Sequence, residues 1–159
     1  MALEVGASVF VPAPATRLYE TLLDVRNFPA WTPAVRRVNV VEGPPGPGMV
    51  SEWEVSLLGI RKRILSVLEI AENSGLLRWS YEGPVDGWGA CELYPREDGT
   101  LARFATELRV AEPVLGRLLQ RLPVHSLATS QLKRSLLGLG RMVCGEEARG
   151  RILVGPLEA

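Results

Sequence analysis

The chain has 159 residues, 47% of them apolar and 23% charged, and its 18 basic and 18 acidic side chains cancel. That is the composition of one folded domain with a real core. It argues against nucleic acid as the main partner, because phosphate binding needs a surplus of Lys and Arg. No apolar run approaches the roughly 20 residues of a membrane span. Met1-Ala-Leu-Glu-Val lacks the basic-then-apolar plan of a signal peptide, so a cytoplasmic location is expected. Cys91 and Cys144 come with no CxxC and no His cluster, so neither a zinc site nor a disulfide framework is indicated, and no cofactor is implied.

Leu3, Val5, Ala7, Val9 and Val11 alternate and predict a first strand over Leu3 to Val11. Pro12 and Pro14 end it, and Leu18, Leu22 and Leu23 give a short helix from Pro14 to Asp24 its apolar face. In Asn27-Phe-Pro-Ala-Trp-Thr-Pro33 the two prolines rule out a regular helix. A broken helical turn is expected there, with Phe28 and Trp31 as plugs.

Strands are then predicted over Val35 to Glu42, Met49 to Leu57, Ile60 to Ala71, Leu76 to Glu82, Gly87 to Arg96 and Leu101 to Val110. The turns between them are the stiff Gly43-Pro-Pro-Gly-Pro-Gly48, then Leu58-Gly59, Glu72 to Gly75, Gly83 to Asp86, and Glu97-Asp-Gly99. The first is no phosphate loop: its prolines remove N–H donors, and no Gly-Lys-Ser/Thr follows. Short links make successive strands pair antiparallel.

From Val114 to Val143 the residues Leu115, Leu118, Leu122, His125, Thr129, Leu132, Leu136, Leu139 and Val143 recur at helical spacing and predict a helix of about 30 residues. A stripe of this kind must be buried, and the sheet is its partner. His125 and Thr129 put a polar notch midway, which suggests a pocket rather than a solid core. Pro123 interrupts the pattern. Either the helix bends there, or a short helix from Pro113 ends near Arg121 and a longer one starts at Pro123. A break would shift the phase and move His125 off the stripe. The expected organisation is a ligand-binding domain over residues 1–145 and a frayed tail over residues 146–159.

This order of elements resembles the helix-grip fold of the START-like (SRPBCC, Bet v 1-like) superfamily, nearest its polyketide cyclase/dehydrase and Coq10-type group. Asp24-Val-Arg-Asn-Phe-Pro-Ala-Trp31 is similar to the segment after the first helix in polyketide cyclases. Leu77-Arg-Trp79, Gly83-Pro, Gly89, Leu93 and Pro95 before Asp98-Gly-Thr100 resemble the central hairpins of that group. The resemblance implies an α+β fold in which a seven-stranded curved antiparallel sheet wraps a long C-terminal helix. It also implies a cavity between sheet and helix for an apolar guest: a lipid, quinone, polyketide-like or aromatic molecule.

Inward alternation then nominates the lining: Trp53, Val55, Ile64, Ser66, Leu68, Leu77, Trp79, Tyr81, Cys91, Leu93, Phe104, Thr106 and Leu108 from the strands. Leu118, Leu122, His125 and Thr129 would close the cavity from the helix. His125, the only histidine, and Tyr81 are weak candidates for moving a proton. No orienting partner for His125 is evident nearby in sequence, and no catalytic motif maps onto the chain. Lys62 shares a face with Ile64 and Ser66 and could meet a carboxylate at a cavity mouth. Leu65 and Val67, apolar on the presumed outer face, are candidates for a homodimer contact. Three functions follow: an apolar-ligand carrier, a polyketide aromatase/cyclase or dehydrase using the same pocket, or a protein-partner module of the Coq10/toxin-like kind.

Overall fold

The computed structural model describes residues 2–57 and 59–157, without the side chains of Leu57 and Arg149. Strand β1 (Ala2–Val11) is followed by helix α1 (Ala15–Leu23), a 3-10 turn (Val25–Asn27) and the single-turn helix α2 (Phe28–Trp31). Then come β2 (Val35–Glu42), β3 (Val50–Leu57), β4 (Ile60–Glu72), β5 (Leu76–Glu82), β6 (Val85–Arg96) and β7 (Gly99–Val110). The chain ends with α3 (Pro113–Leu119), α4 (Val124–Cys144), a 3-10 segment (Glu146–Arg151) and β8 (Leu153–Pro156).

The strands form one eight-stranded sheet in the order β2-β3-β4-β5-β6-β7-β1-β8, antiparallel at every neighbour. Chain order is spatial order from β2 to β7, as short links require. Register shifts at Val35/Arg37 and Val40/Glu42 in β2, and at Leu68/Ile70 in β4, bend the sheet as bulges do. The Gly/Pro turn before β3 places Gly43, Gly46 and Gly48 at positive φ, where a Cβ would strain the backbone. Of the predicted Leu58-Gly59 turn, Leu58 lies outside the described residues.

Period-two burial confirms the sheet's inner face. On β1, Val5, Ala7, Val9 and Val11 are buried while Ser8 and Phe10 between them are not. Helix α4 packs along β1 and α1 packs on β6, so the concave face is covered at one end by α1 and lengthwise by α4. Gly138 permits the approach of α4 to α2: a Cβ there would lie 2.3 Å from the Trp31 carbonyl oxygen.

One expectation is corrected: among the described residues the sheet has eight strands rather than seven, because the tail as far as Pro156 folds onto the domain instead of fraying. Leu153–Pro156 pairs with Ala7–Phe10 of β1, and Ala148 and Ile152 are buried beneath it. The tail shows no hydrophobic period because its strand has four residues, the outer two exposed and the middle two only half-buried, too few to register as a pattern. Of the two alternatives at Pro123 the split is the one observed: α3 ends at Leu119 and the longer α4 starts at Val124, with Pro123 capping its start. No helix among the described residues is long and apolar enough to cross a membrane.

Candidate functional site: an apolar cavity beneath the last helix

Between the concave face and α4 lies a cavity of about 250 Å³. The sheet contributes Trp53, Val55, Ile64, Trp79, Tyr81, Phe104, Thr106 and Leu108, all predicted to face inward. Helix α4 closes it with Val124, Ala128, Gln131, Leu132, Ser135 and Leu136, and α3 adds Leu119. At the α2 end, the Phe28 ring stacks between two indoles, with centroids 4.6 Å from Trp31 and 4.8 Å from Trp53. The tilted and edge-on geometries are those aromatic quadrupoles favour.

The lining is almost wholly apolar and carries two small polar groups on opposite walls. On the sheet, Trp79 Nε1 donates to the Tyr81 hydroxyl, which is also hydrogen-bonded to Thr106. Thr106 Oγ1 in turn donates to the Trp88 carbonyl at 2.9 Å. With the Thr106 proton committed to that carbonyl, the Tyr81 proton points to Thr106, and an oxygen lone pair of Tyr81 is left for a guest. Gly89 makes room for the cluster, since a Cβ there would come within 2.5 Å of Trp79 Nε1 and 3.0 Å of the Tyr81 oxygen. On the helical wall, Thr32 Oγ1 and Ser135 Oγ are 2.7 Å apart and buried, and Ser135 Oγ donates to the Gln131 carbonyl at 3.0 Å. The Gln131 side chain lines the cavity beside them.

Electrostatics follow from burial. The Tyr81 phenol is pushed far above its ordinary value, mainly because burial penalises the phenolate, with the Trp79 and Thr106 hydrogen bonds opposing. The Cys91 thiol is pushed up by burial and by the neighbouring Glu92 carboxylate. At neutral pH both keep their protons. Tyr81 is the one titratable side chain among the cavity-lining residues.

The other nominated residues fall into two groups. Ser66, Leu68, Leu77, Cys91 and Leu93 are inward-facing and buried, but they do not border the cavity. Alternation tells which side of a strand a residue faces, not how far along it the space is filled by packing. Leu118, Leu122, His125 and Thr129, expected to close the cavity, do not line it either. Leu118, Leu122 and His125 are exposed and Thr129 is half-buried, its hydroxyl without a hydrogen-bond partner.

The cause is Pro123. With the helix split there, the face toward the cavity falls one residue later than expected in α3, at Leu119 instead of Leu118, and one residue earlier at the start of α4, at Val124 and Ala128 instead of His125 and Thr129. From Leu132 onward the expected stripe and the observed one coincide. His125 is thus exposed and stands outside the cavity lining.

Lining residues outside the nominated set include Leu3 and Val5 of β1, Phe28, Trp31 and Thr32 around α2, Val85, Val110, Gln131 and Ser135. Val5 was legible in the alternation of β1, and Phe28 and Trp31 in the proline-bracketed turn. Thr32 and Ser135 carried no signal, since their pairing spans 103 residues. Lys62 does meet a carboxylate: its Nζ lies 2.7 Å from Glu112 Oε2, just before α3.

Comparison with known proteins agrees with this geometry. A solved structure of TTHA0849 from Thermus thermophilus superposes with a TM-score of 0.75 at 26% identity, covering 88% of this chain and 96% of that one. A START superfamily protein from Mycobacterium smegmatis gives a TM-score of 0.70 at 19% identity over 88% of this chain and 96% of its own. The ribosome association toxin RatA of Escherichia coli K12 is 26% identical over 89 residues, 54% of this chain and 56% of RatA. The chain thus spans about half the length of the curated relatives it matches. The family described as polyketide cyclase / dehydrase and lipid transport matches residues 2–143, and the chain belongs to that family and adopts the helix-grip fold that the START superfamily protein also has.

Proposed function

We propose that the protein is a binding or carrier protein for one apolar small molecule, held between the sheet and α4. The observation that carries this is the character of the lining: an aromatic wall of Phe28, Trp31, Trp53, Trp79 and Phe104 with hydroxyl and amide groups at two places and no carboxylate, imidazole, ammonium or thiol. Such a surface gains from removing a guest's apolar area from water, about 25 cal/mol per Å², less the cost of ordering it. The Tyr81–Thr106 pair and the Gln131–Ser135 pair orient the guest by its polar substituents.

Native mass spectrometry of the protein as purified tests this, together with titration of an apolar naphthylamine dye followed by fluorescence. A co-purified mass or saturable, one-to-one dye binding is expected. Gly89→Ala should weaken binding about tenfold by displacing the Trp79 ring. Absence of both the mass and saturable binding would refute the carrier reading.

An aromatase/cyclase or dehydrase role is the second reading, and Tyr81 would serve it as a desolvated hydroxyl inside the pocket that accepts a hydrogen bond from the guest through its free lone pair and donates only once its bond to Thr106 is given up. Turnover of a poly-β-keto thioester that is lost in Tyr81→Phe, with dye binding retained, would select it over the carrier.

A further inference from the structure

The chain's net charge of zero hides a segregation. Residues 113–145 contain five basic residues, Arg117, Arg121, Lys133, Arg134 and Arg141, and no Asp or Glu. The rest of the chain therefore holds five more acids than bases. At the start of this cationic region the apolar pattern is turned outward. Val114, Leu118 and Leu122 are 56%, 49% and 46% exposed, and Leu127 is 38% exposed.

Val114, Arg117 and Leu118 share one face of α3, and Arg121 and Leu122 continue it into the following turn. Arg117 and Arg121 are exposed. Glu112, the acid just ahead of α3, is engaged by Lys62. The chain elsewhere shows large exposed apolar residues such as Val41 on β2 and Leu153 on β8, but these stand apart from one another in the fold, as is ordinary for a surface.

We propose that the outward face of α3 and its turn into α4 docks on the surface of an anionic lipid bilayer. The leucines and valine enter the headgroup boundary, and Arg117 and Arg121 meet the lipid phosphates. Two features favour lipid over nucleic acid. Phosphate recognition alone uses cations and polar groups and gives no reason to expose four large aliphatic side chains, whereas an interfacial helix needs both. The same helix also reaches the cavity, because Leu119, next to the exposed Leu118, lines it. A bilayer bound to the outer face of α3 therefore lies one helix thickness from the pocket. The docking does not depend on what the cavity holds.

The test is co-flotation of the full chain with vesicles of phosphatidylcholine alone and with about 30% phosphatidylglycerol added. Binding to the anionic vesicles and little to the neutral ones is expected. Each cation near an anionic leaflet strengthens partitioning about fivefold, so Arg117→Gln with Arg121→Gln should lower binding roughly twentyfold or more. Leu118→Asp with Leu122→Asp should abolish it. Both leucines are exposed, so unchanged thermal unfolding verifies that this variant is folded. Val41→Asp, on the far edge of the sheet, should bind like the parent.

No flotation with anionic vesicles would overturn the proposal, as would flotation indifferent to the leucine variant. Equally decisive against it would be pelleting with ribosomes or RNA that is lost with the arginines, keeps its strength without the leucines, and has no vesicle counterpart.

Discussion

Helices α3 and α4 are consecutive, leucine-rich and free of acids, yet they meet opposite fates. Over its 21 residues α4 buries Leu136, Leu139 and Val143 against the sheet. The seven residues of α3 bury Leu115 and Leu119 and leave Val114 and Leu118 in water. What separates them is contact, not composition. Helix α4 runs the length of β1, whereas α3 touches mainly the end of β7 and is tied to β4 through Lys62 and Glu112. A helix held by two buried leucines and one ion pair opens at lower cost than one packed along its whole length. In this fold, then, one wall of the cavity is packed along its whole length and another is held at a few points.

Substitution at matched leucines breaks that comparison most sharply. Leu136→Ala removes a side chain with 0% exposure and should cost about 2–5 kcal/mol in denaturant unfolding. Leu118→Ala, 49% exposed, should change stability by less than about 0.5 kcal/mol. Equal losses at the two sites would mean that α3 is packed as firmly as α4.

Gly138→Ala comes next. It forces a Cβ against the Trp31 carbonyl at 2.3 Å and should cost about 1–3 kcal/mol by pushing α4 off α2. Tryptophan emission should also shift as Trp31 moves.

The buried face of the sheet, against which α4 packs, should reveal itself at high pH. Cys91 and Tyr81 have folded-state values raised above their ordinary 9.0 and 10.0. In this range the folded chain holds protons that the unfolded chain has released, so stability is full below pH 9 and falls as pH rises. The fall begins with Cys91 and steepens above pH 10 with Tyr81. The difference between the unfolding midpoints of the parent and of Tyr81→Phe should be constant below pH 10 and shift against the parent above it.

The smallest effect belongs to the lightly held wall. Lys62→Ala breaks a bridge that is partly exposed at both ends, 21% and 37%. It should lower global stability by less than about 1 kcal/mol. Amide exchange in α3 should quicken while that in α4 stays unchanged, and a uniform response across both helices would argue against a locally opening α3.

The sequence by itself determined the strands, their antiparallel order and the concave face, because period-two alternation reports directly which side of a strand meets the core. It determined Trp53, Trp79, Tyr81, Phe104 and Thr106 as inward-facing, whereas for Lys62 it offered a carboxylate contact only as one possibility, and the fold supplies Glu112. Only tertiary structure decided the rest. Whether Pro123 bends a helix or splits it depends on what the two halves can pack against, and the split turned Leu119 and Val124 to the cavity and left Leu118 and His125 at the surface. Whether an inward residue meets a cavity or a filled core, as Cys91 and Leu93 do, depends on how far α1 and α4 reach over the sheet. The pairing of Thr32 with Ser135 and of β8 with β1 depends on contacts between residues far apart in the chain. Local periodicity is blind to all three, because each is fixed by neighbours that only folding brings together.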